Sequence, residues 1–178
     1  MKTSVLLVCL SVFLITCTRF AVGQDEPTPR FKNLEHLIGT WKGEEEIRLS
    51  PKTPWKKGDS EWEVRWLPGE YAAETSGKMR IRGEESSWIQ VWGYDPSKDT
   101  VVSWYADSTG ALGSVTSSGW NGTTFLSNWT DIGPDGLTVV GRCSWEHSSD
   151  FESVTATCDQ FTDGTWWTFR RMKGVKSD

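Results

Sequence analysis

The sequence is poor in the residues that metal and nucleophilic chemistry draw on. Its 178 residues include only two histidines, His36 and His147, and four cysteines. Two isolated histidines and one cysteine pair do not assemble a zinc site, so no metal is expected. No Gly-x-Ser-x-Gly, Walker or dinucleotide fingerprint occurs, which leaves no local motif for acyl transfer, nucleotide hydrolysis or nicotinamide binding. Basic residues are in deficit. Nineteen Lys and Arg stand against 24 Asp and Glu, a formal net charge of −5 and a pI near 5.1. A nucleic-acid binder normally shows a basic face, so nucleic acid is not an expected partner. Seven prolines and 17 glycines are too few for a collagen or a low-complexity linker. Tryptophan alone is abundant, with 12 residues.

Lys2, an apolar run over 5–15 broken by Cys9 and Ser11, and the small residues Ala21-Val22-Gly23 have the layout of a secretory signal peptide cleaved after Gly23. The run is shorter than the roughly 20 apolar residues of a transmembrane helix, and no later stretch approaches that length. A lipid anchor at Cys17 is the competing reading, but Thr16 fits its cleavage rule poorly. A secreted or periplasmic protein follows. Removing 23 of the 178 residues, Lys2 and Arg19 among them, leaves 155 residues with 17 basic and 24 acidic side chains, a formal charge of −7. Cys143 and Cys158 remain, and an oxidising compartment makes such a pair a disulfide. Residues 24–30, with two prolines, read as a flexible lead-in, and 31–175 as one domain.

Apolar residues at 31, 34, 37 and 38 predict a short N-terminal helix ended by Gly39. The remainder alternates with period two, the mark of half-buried strands. In Glu61-Trp62-Glu63-Val64-Arg65-Trp66 the charges share one face and the apolar residues the other. Residues 87–94 place Trp88, Gln90, Trp92 and Tyr94 on one face, and Ile89 and Val91 on the opposite one. Turns fall at Pro68-Gly69, at 95–99, at Asn121-Gly122, at 133–136 and at Asp163-Gly164. About ten strands begin near Thr40, Asp59, Glu70, Glu85, Thr100, Leu112, Thr123, Leu137, Phe151 and Thr165. Short sequential connections favour an all-β, about ten-stranded antiparallel up-and-down barrel preceded by that helix; a two-sheet sandwich is the alternative. A four-residue hairpin loop at 149–152 would set Ser148 opposite Ser153, and hence Cys143 opposite Cys158, within disulfide reach.

Two segments carry a family resemblance. Leu37-Ile38-Gly39-Thr40-Trp41-Lys42-Gly43 resembles the opening of calycin-type barrels, shared by lipocalins, fatty-acid-binding proteins and nitrobindin-like proteins. Gly93-Tyr94-Asp95-Pro96 followed by Trp104-Tyr105-Ala106-Asp107-Ser108-Thr109-Gly110 resembles a bacterial, often exported family built on a domain of unknown function. The resemblance implies a calycin-like fold over most of 31–175. It also implies that Gly39 and Trp41 close the barrel base, with Arg170 or Arg171 stacked over the Trp41 ring, a cation–π contact. Nitrobindin-like barrels hold haem through a histidine on a strand near the C-terminus. The last two predicted strands here contain none, and His147, beside a hairpin loop, reads as exposed. No haem or other cofactor is therefore expected.

Trp62, Trp66, Trp88, Trp92 and Trp104 fall on three successive strand regions. Their rings either line a cavity for a small apolar or aromatic molecule or fill the barrel outright; a surface strip that stacks on sugars is a third arrangement. Gln90, Asp107 and Ser108 are the candidate polar groups at the site, and Asp107 and Ser108 have turn chemistry as the rival role. Glu44-Glu45-Glu46 reads as a solvated run at a strand edge. No pair of carboxylates stands out as catalytic, so no catalytic residue is assigned. The expectation is an exported binding protein. An enzyme on the same scaffold, or a carbohydrate-binding or structural envelope protein, is the alternative. The oligomeric state is open.

Overall fold

Alternation of inward and outward residues, joined by tight turns, rolls the chain into a closed antiparallel sheet. The structure is a computed structural model and describes residues 34–177. The expected signal peptide with Gly23 and Cys17, the lead-in at 24–30 and Phe31 lie outside the described residues. The strands are β1 (Gly39–Ile47), β2 (Lys56–Trp66), β3 (Ala73–Ile81), β4 (Glu84–Asp95), β5 (Thr100–Asp107), β6 (Leu112–Ser117), β7 (Trp120–Asn121), β8 (Thr124–Ile132), β9 (Thr138–His147), β10 (Ser153–Thr162) and β11 (Thr165–Ser177). Sequential neighbours pair from β1 to β6 and from β8 to β11. The pairings β1–β11 and β6–β8 close a ten-stranded barrel. The two-residue β7 folds back on β8 as a short hairpin. Two-residue turns at Arg82-Gly83 and Asp163-Gly164 have positive φ at both positions, the twist that matches a hairpin.

The expected N-terminal helix is not formed. Among the described residues there is no α-helix, and this segment supplies one 3-10 turn, Glu35–Leu37. It is closed by Leu37 N–H donating to Leu34 O at 2.9 Å and Ile38 N–H donating to Glu35 O at 3.1 Å. One turn is too short for helix propagation to offset nucleation. Gly39, with φ of 130°, then swings the chain into β1. The apolar spacing that suggested a helix has another use: Leu34 is buried, and Leu37 and Ile38 pack onto the core, plugging one end of the barrel.

The buried hydrophobic cluster lies against that closed end, around Trp41, Val64, Ala73, Val154, Ala156 and Met172. Trp41 is 1% exposed. Its indole N–H donates to Leu37 O at 2.9 Å, tying the plug to β1, and its ring stacks on Trp62 at 5.9 Å. The arginine contact implied by the resemblance is absent. The Lys176 ammonium lies 5.7 Å from the Trp41 ring. Arg171 faces outward over Trp55 at 4.7 Å. Arg170 turns inward because β10 and β11 slip register between Cys158 and Asp159. This bulge makes both Phe169 and Arg170 face the interior, as an extra residue re-aims a side chain.

Cys143 and Cys158 pair across β9 and β10, with Cα atoms 4.1 Å apart, and form a disulfide. Ser148 N–H donates to Ser153 O at 2.9 Å, the register that a four-residue loop at 149–152 sets.

Candidate functional site

The interior is hollow, and glycine is the reason. Large inward rings extend over other strands at positions that have no side chain. A Cβ at Gly77 would stand 2.6 Å from Trp88, and one at Gly174 would stand 2.6 Å from Trp62. A Cβ at Gly113 would overlap the Tyr105 ring, and one at Gly141 the Trp129 ring. Each ring therefore becomes wall instead of filling. The cavity that remains is about 430 Å³, within the size range of small-molecule sites. It runs from Leu34 and Leu37 at the closed end to Asp107 and Asp131 at the far end.

Of the residues singled out from sequence, Trp62, Trp88, Gln90, Trp92 and Asp107 line this cavity. Gln90 donates its amide to Ser103 Oγ at 2.7 Å, and the Trp92 indole N–H donates to Thr75 Oγ1 at 3.0 Å. Trp66 packs on the closed-end core, outside the lining. Trp104 points outward and is 62% exposed, because the β4–β5 register sets Tyr105 opposite the inward Gln90. Ser108 is exposed in the β5–β6 turn, where its hydroxyl accepts from Ser87 N–H at 3.0 Å. Asp107 does both jobs: its Oδ1 accepts from Thr109 N–H, Thr109 Oγ1 and Ala111 N–H in the turn, and its side chain borders the cavity. The exposed rings of Trp104 and Trp166 stand on β5 and β11, five strands apart around a ten-stranded barrel, and do not form a strip.

Several lining residues had not been singled out: Tyr105, Asp131, Trp129, Trp120, Trp145 and Phe125. Their signal was present in part, since the alternation Phe125, Ser127, Trp129 continues to Asp131. Tyr105 lies over Gly113 and hydrogen-bonds Asp131. Burial pushes the Asp131 carboxyl above the usual range; the Tyr105 bond opposes this and the nearby Asp107 charge adds to it. Burial and the Asp131 charge likewise push the Tyr105 hydroxyl up. Asp131 Oδ1 is buried with no hydrogen-bond partner, a costly condition for a carboxylate oxygen.

Glu45 corrects the reading of 44–46 as a solvated run. Its neighbours face out, but Glu45 is 1% exposed inside the barrel. Arg170 Nε and Nη2 donate to its two oxygens at 2.8 and 2.7 Å, and Ser60 Oγ donates at 2.8 Å. This bidentate geometry is what makes a buried pair tolerable. Burial disfavours the Arg170 charge, and Glu45 more than restores it, so the guanidinium stays firmly protonated.

His147 is also corrected: it is 8% exposed, not on the surface. It is the last residue of β9, on the inward parity of Cys143 and Trp145, and the 3-10 turn sets His36 over it at 5.9 Å. Trp41, Trp120 and Phe151 complete the cluster. Burial pushes both imidazoles down to about 4, with Lys176 adding to the effect at His36 and His36 at His147. Among the described residues, no group of three or more His, Cys, Asp or Glu side chains is placed to hold a metal ion.

The fold is similar to that of a solved structure, the crystal structure of Rv2717c from M. tuberculosis, with a TM-score of 0.66 at 14% identity. The match covers 86% of this chain and 100% of that one. No curated protein matches the chain. Residues 26–176 match the family described as "Protein of unknown function (DUF1579)", a span that runs from before β1 to within one residue of the end of β11, and the chain belongs to that family.

Proposed function

We propose that the protein is exported and binds a small, mostly apolar molecule between the tryptophans of its barrel. The observation that carries this reading is the hollow interior: about 430 Å³ walled by rings that sit over glycines. A ligand burying roughly 300 Å² of apolar surface would gain about 7 kcal/mol before the costs of association. Trp62, Trp88 and Trp92 supply that surface, and Gln90 and Asp107 supply polar contacts. Export is supported by the layout of residues 1–23 and by the disulfide. No helix of the described residues is long and apolar enough to cross a membrane.

Native and denaturing mass spectra of the freshly purified protein test the reading. An extra mass lost on denaturation supports it and identifies the ligand class. Bare protein in both spectra, together with no uptake of added apolar molecules, overturns it.

One observation favours a second reading, an enzyme on the same scaffold. A buried carboxyl held above its usual range beside a hydroxyl is a common acid–base arrangement, and Asp131 with Tyr105 forms one. A small molecule recovered with altered mass after incubation with the wild type, but not with Asp131→Asn, would favour it.

A further inference from the structure

We propose that the cavity takes a cationic amphiphile, an organic ammonium whose charge sits at Asp131 and Asp107 and whose apolar body lies between the tryptophans. This rests on the binding function proposed above and names the ligand's class.

The charge inventory of the cavity wall carries the argument. Its ionisable side chains are Tyr105, Asp107, Asp131 and Arg170. Arg170 is spoken for, because Glu45 takes it in two hydrogen bonds and cancels its charge. What remains is two carboxylates at the far end of an aromatic chamber, with no lysine, histidine or second arginine in the wall.

The two carboxylates are not equally occupied. The hydrogen bonds that Asp107 accepts in the turn all fall on Oδ1, which leaves Oδ2 outside that network. Asp131 takes the Tyr105 hydroxyl, yet its Oδ1 is fully buried without a partner. The Ile132 backbone N–H also favours the carboxylate, yet Oδ1 itself is withdrawn from water without a donor. A ligand ammonium, with up to three N–H donors, meets that need and separates two carboxylates whose charges raise each other's cost. Aromatic surroundings suit the same cation. Trp88 pairs with Asp107 across β4 and β5, Trp129 lies two residues before Asp131, and both rings border the cavity, where an indole face attracts ammonium. An anionic ligand would meet two carboxylates and an arginine already neutralised.

The test compares three probes of one shape: 1-naphthylmethylamine, 1-naphthalenemethanol and 1-naphthoate, titrated calorimetrically into the full oxidised chain at neutral pH. The expected order is amine, then alcohol, then carboxylate, with the amine about tenfold or more tighter than the alcohol. Asp131→Asn is expected to remove the amine's advantage over the alcohol, with the fold of the variant checked separately by circular dichroism and thermal unfolding. Tyr105→Phe removes a donor from Asp131 but not its charge, so the preference for the amine survives. Equal affinity for amine and alcohol, or tightest binding of naphthoate, overturns the ammonium site while leaving an apolar binding cavity in place. Absence of binding by all three overturns both readings. If Asp131→Asn does not fold, the ranking of the three probes on the wild type decides alone.

Discussion

The two ends of the barrel are built on opposite principles. At the closed end the apolar groups are met from within: Leu34, Leu37 and Ile38 plug the opening, Trp41 is bonded to the plug, and Trp62 stacks beneath it; the polar atoms left without a partner there are ring nitrogens of His36, Trp120 and His147. At the far end demands are left standing. Asp131 carries a buried, unpartnered oxygen, and Asp107 sits nearby with no unpaired cation in the wall. Between them, Glu45 and Arg170 form a buried pair complete in itself. The contrast teaches that the closed end owes its stability to apolar packing, and that the far end gathers carboxylates for which the wall offers no free counter-charge.

Substitutions at the two ends should separate these roles. The largest effect is expected at the closed end. Trp41→Ala removes a fully buried ring, its hydrogen bond and its stack, and should cost about 3–5 kcal/mol in denaturant unfolding. A loss below 1 kcal/mol would mean that the plug holds without it.

Acidification should act at the same end. His36 and His147 have folded values lowered to about 4 from an ordinary 6.5. Lowered values mean that the unfolded chain binds the protons first. The stability these groups contribute is thus present above about 6.5 and is lost as pH falls through the window toward 4, by an amount on the order of 2 kcal/mol or more. Urea midpoints measured across that window check it, and His147→Gln should flatten the slope.

Midway along the barrel, Gly141→Ala forces a methyl group into the Trp129 ring. The expected cost is about 1–3 kcal/mol, with the ring displaced into the cavity and apolar ligands weakened. Unchanged ligand affinity would show that the ring does not need its glycine.

The smallest effect on stability belongs to the far end. Because the Asp131 carboxyl is raised in the fold, its ionisation opposes folding at neutral pH. Asp131→Asn should leave stability within about 1 kcal/mol of wild type, or raise it. A large loss would make Asp131 a structural group and erase the contrast between the ends.

Much of the wall was legible before the structure. Strands expected near Thr100, Leu112 and Thr165 begin there, and the others lie within three residues. Hairpin arithmetic set Cys143 opposite Cys158, because short loops transmit register from one strand to the next. The errors share a cause. Trp104 and Tyr105 are adjacent aromatics, so period two alone cannot say which faces in; pairing with Gln90 decides it. Arg170 escapes the alternation because a bulge adds a residue. His147 looked like a loop residue because its cover, His36, is distant in sequence. Glu45 looked solvated because its partner lies 125 residues away.

The sequence by itself determined the strands, their turns, the up-and-down order and the disulfide, since each depends on local alternation and loop length. Only the tertiary structure decided that the barrel is hollow. Trp88 over Gly77, Tyr105 over Gly113 and Trp129 over Gly141 are contacts between strands. They exist only once register and closure bring a ring beside a missing side chain, and the orphaned oxygen of Asp131 exists only once the same closure shuts it away from water.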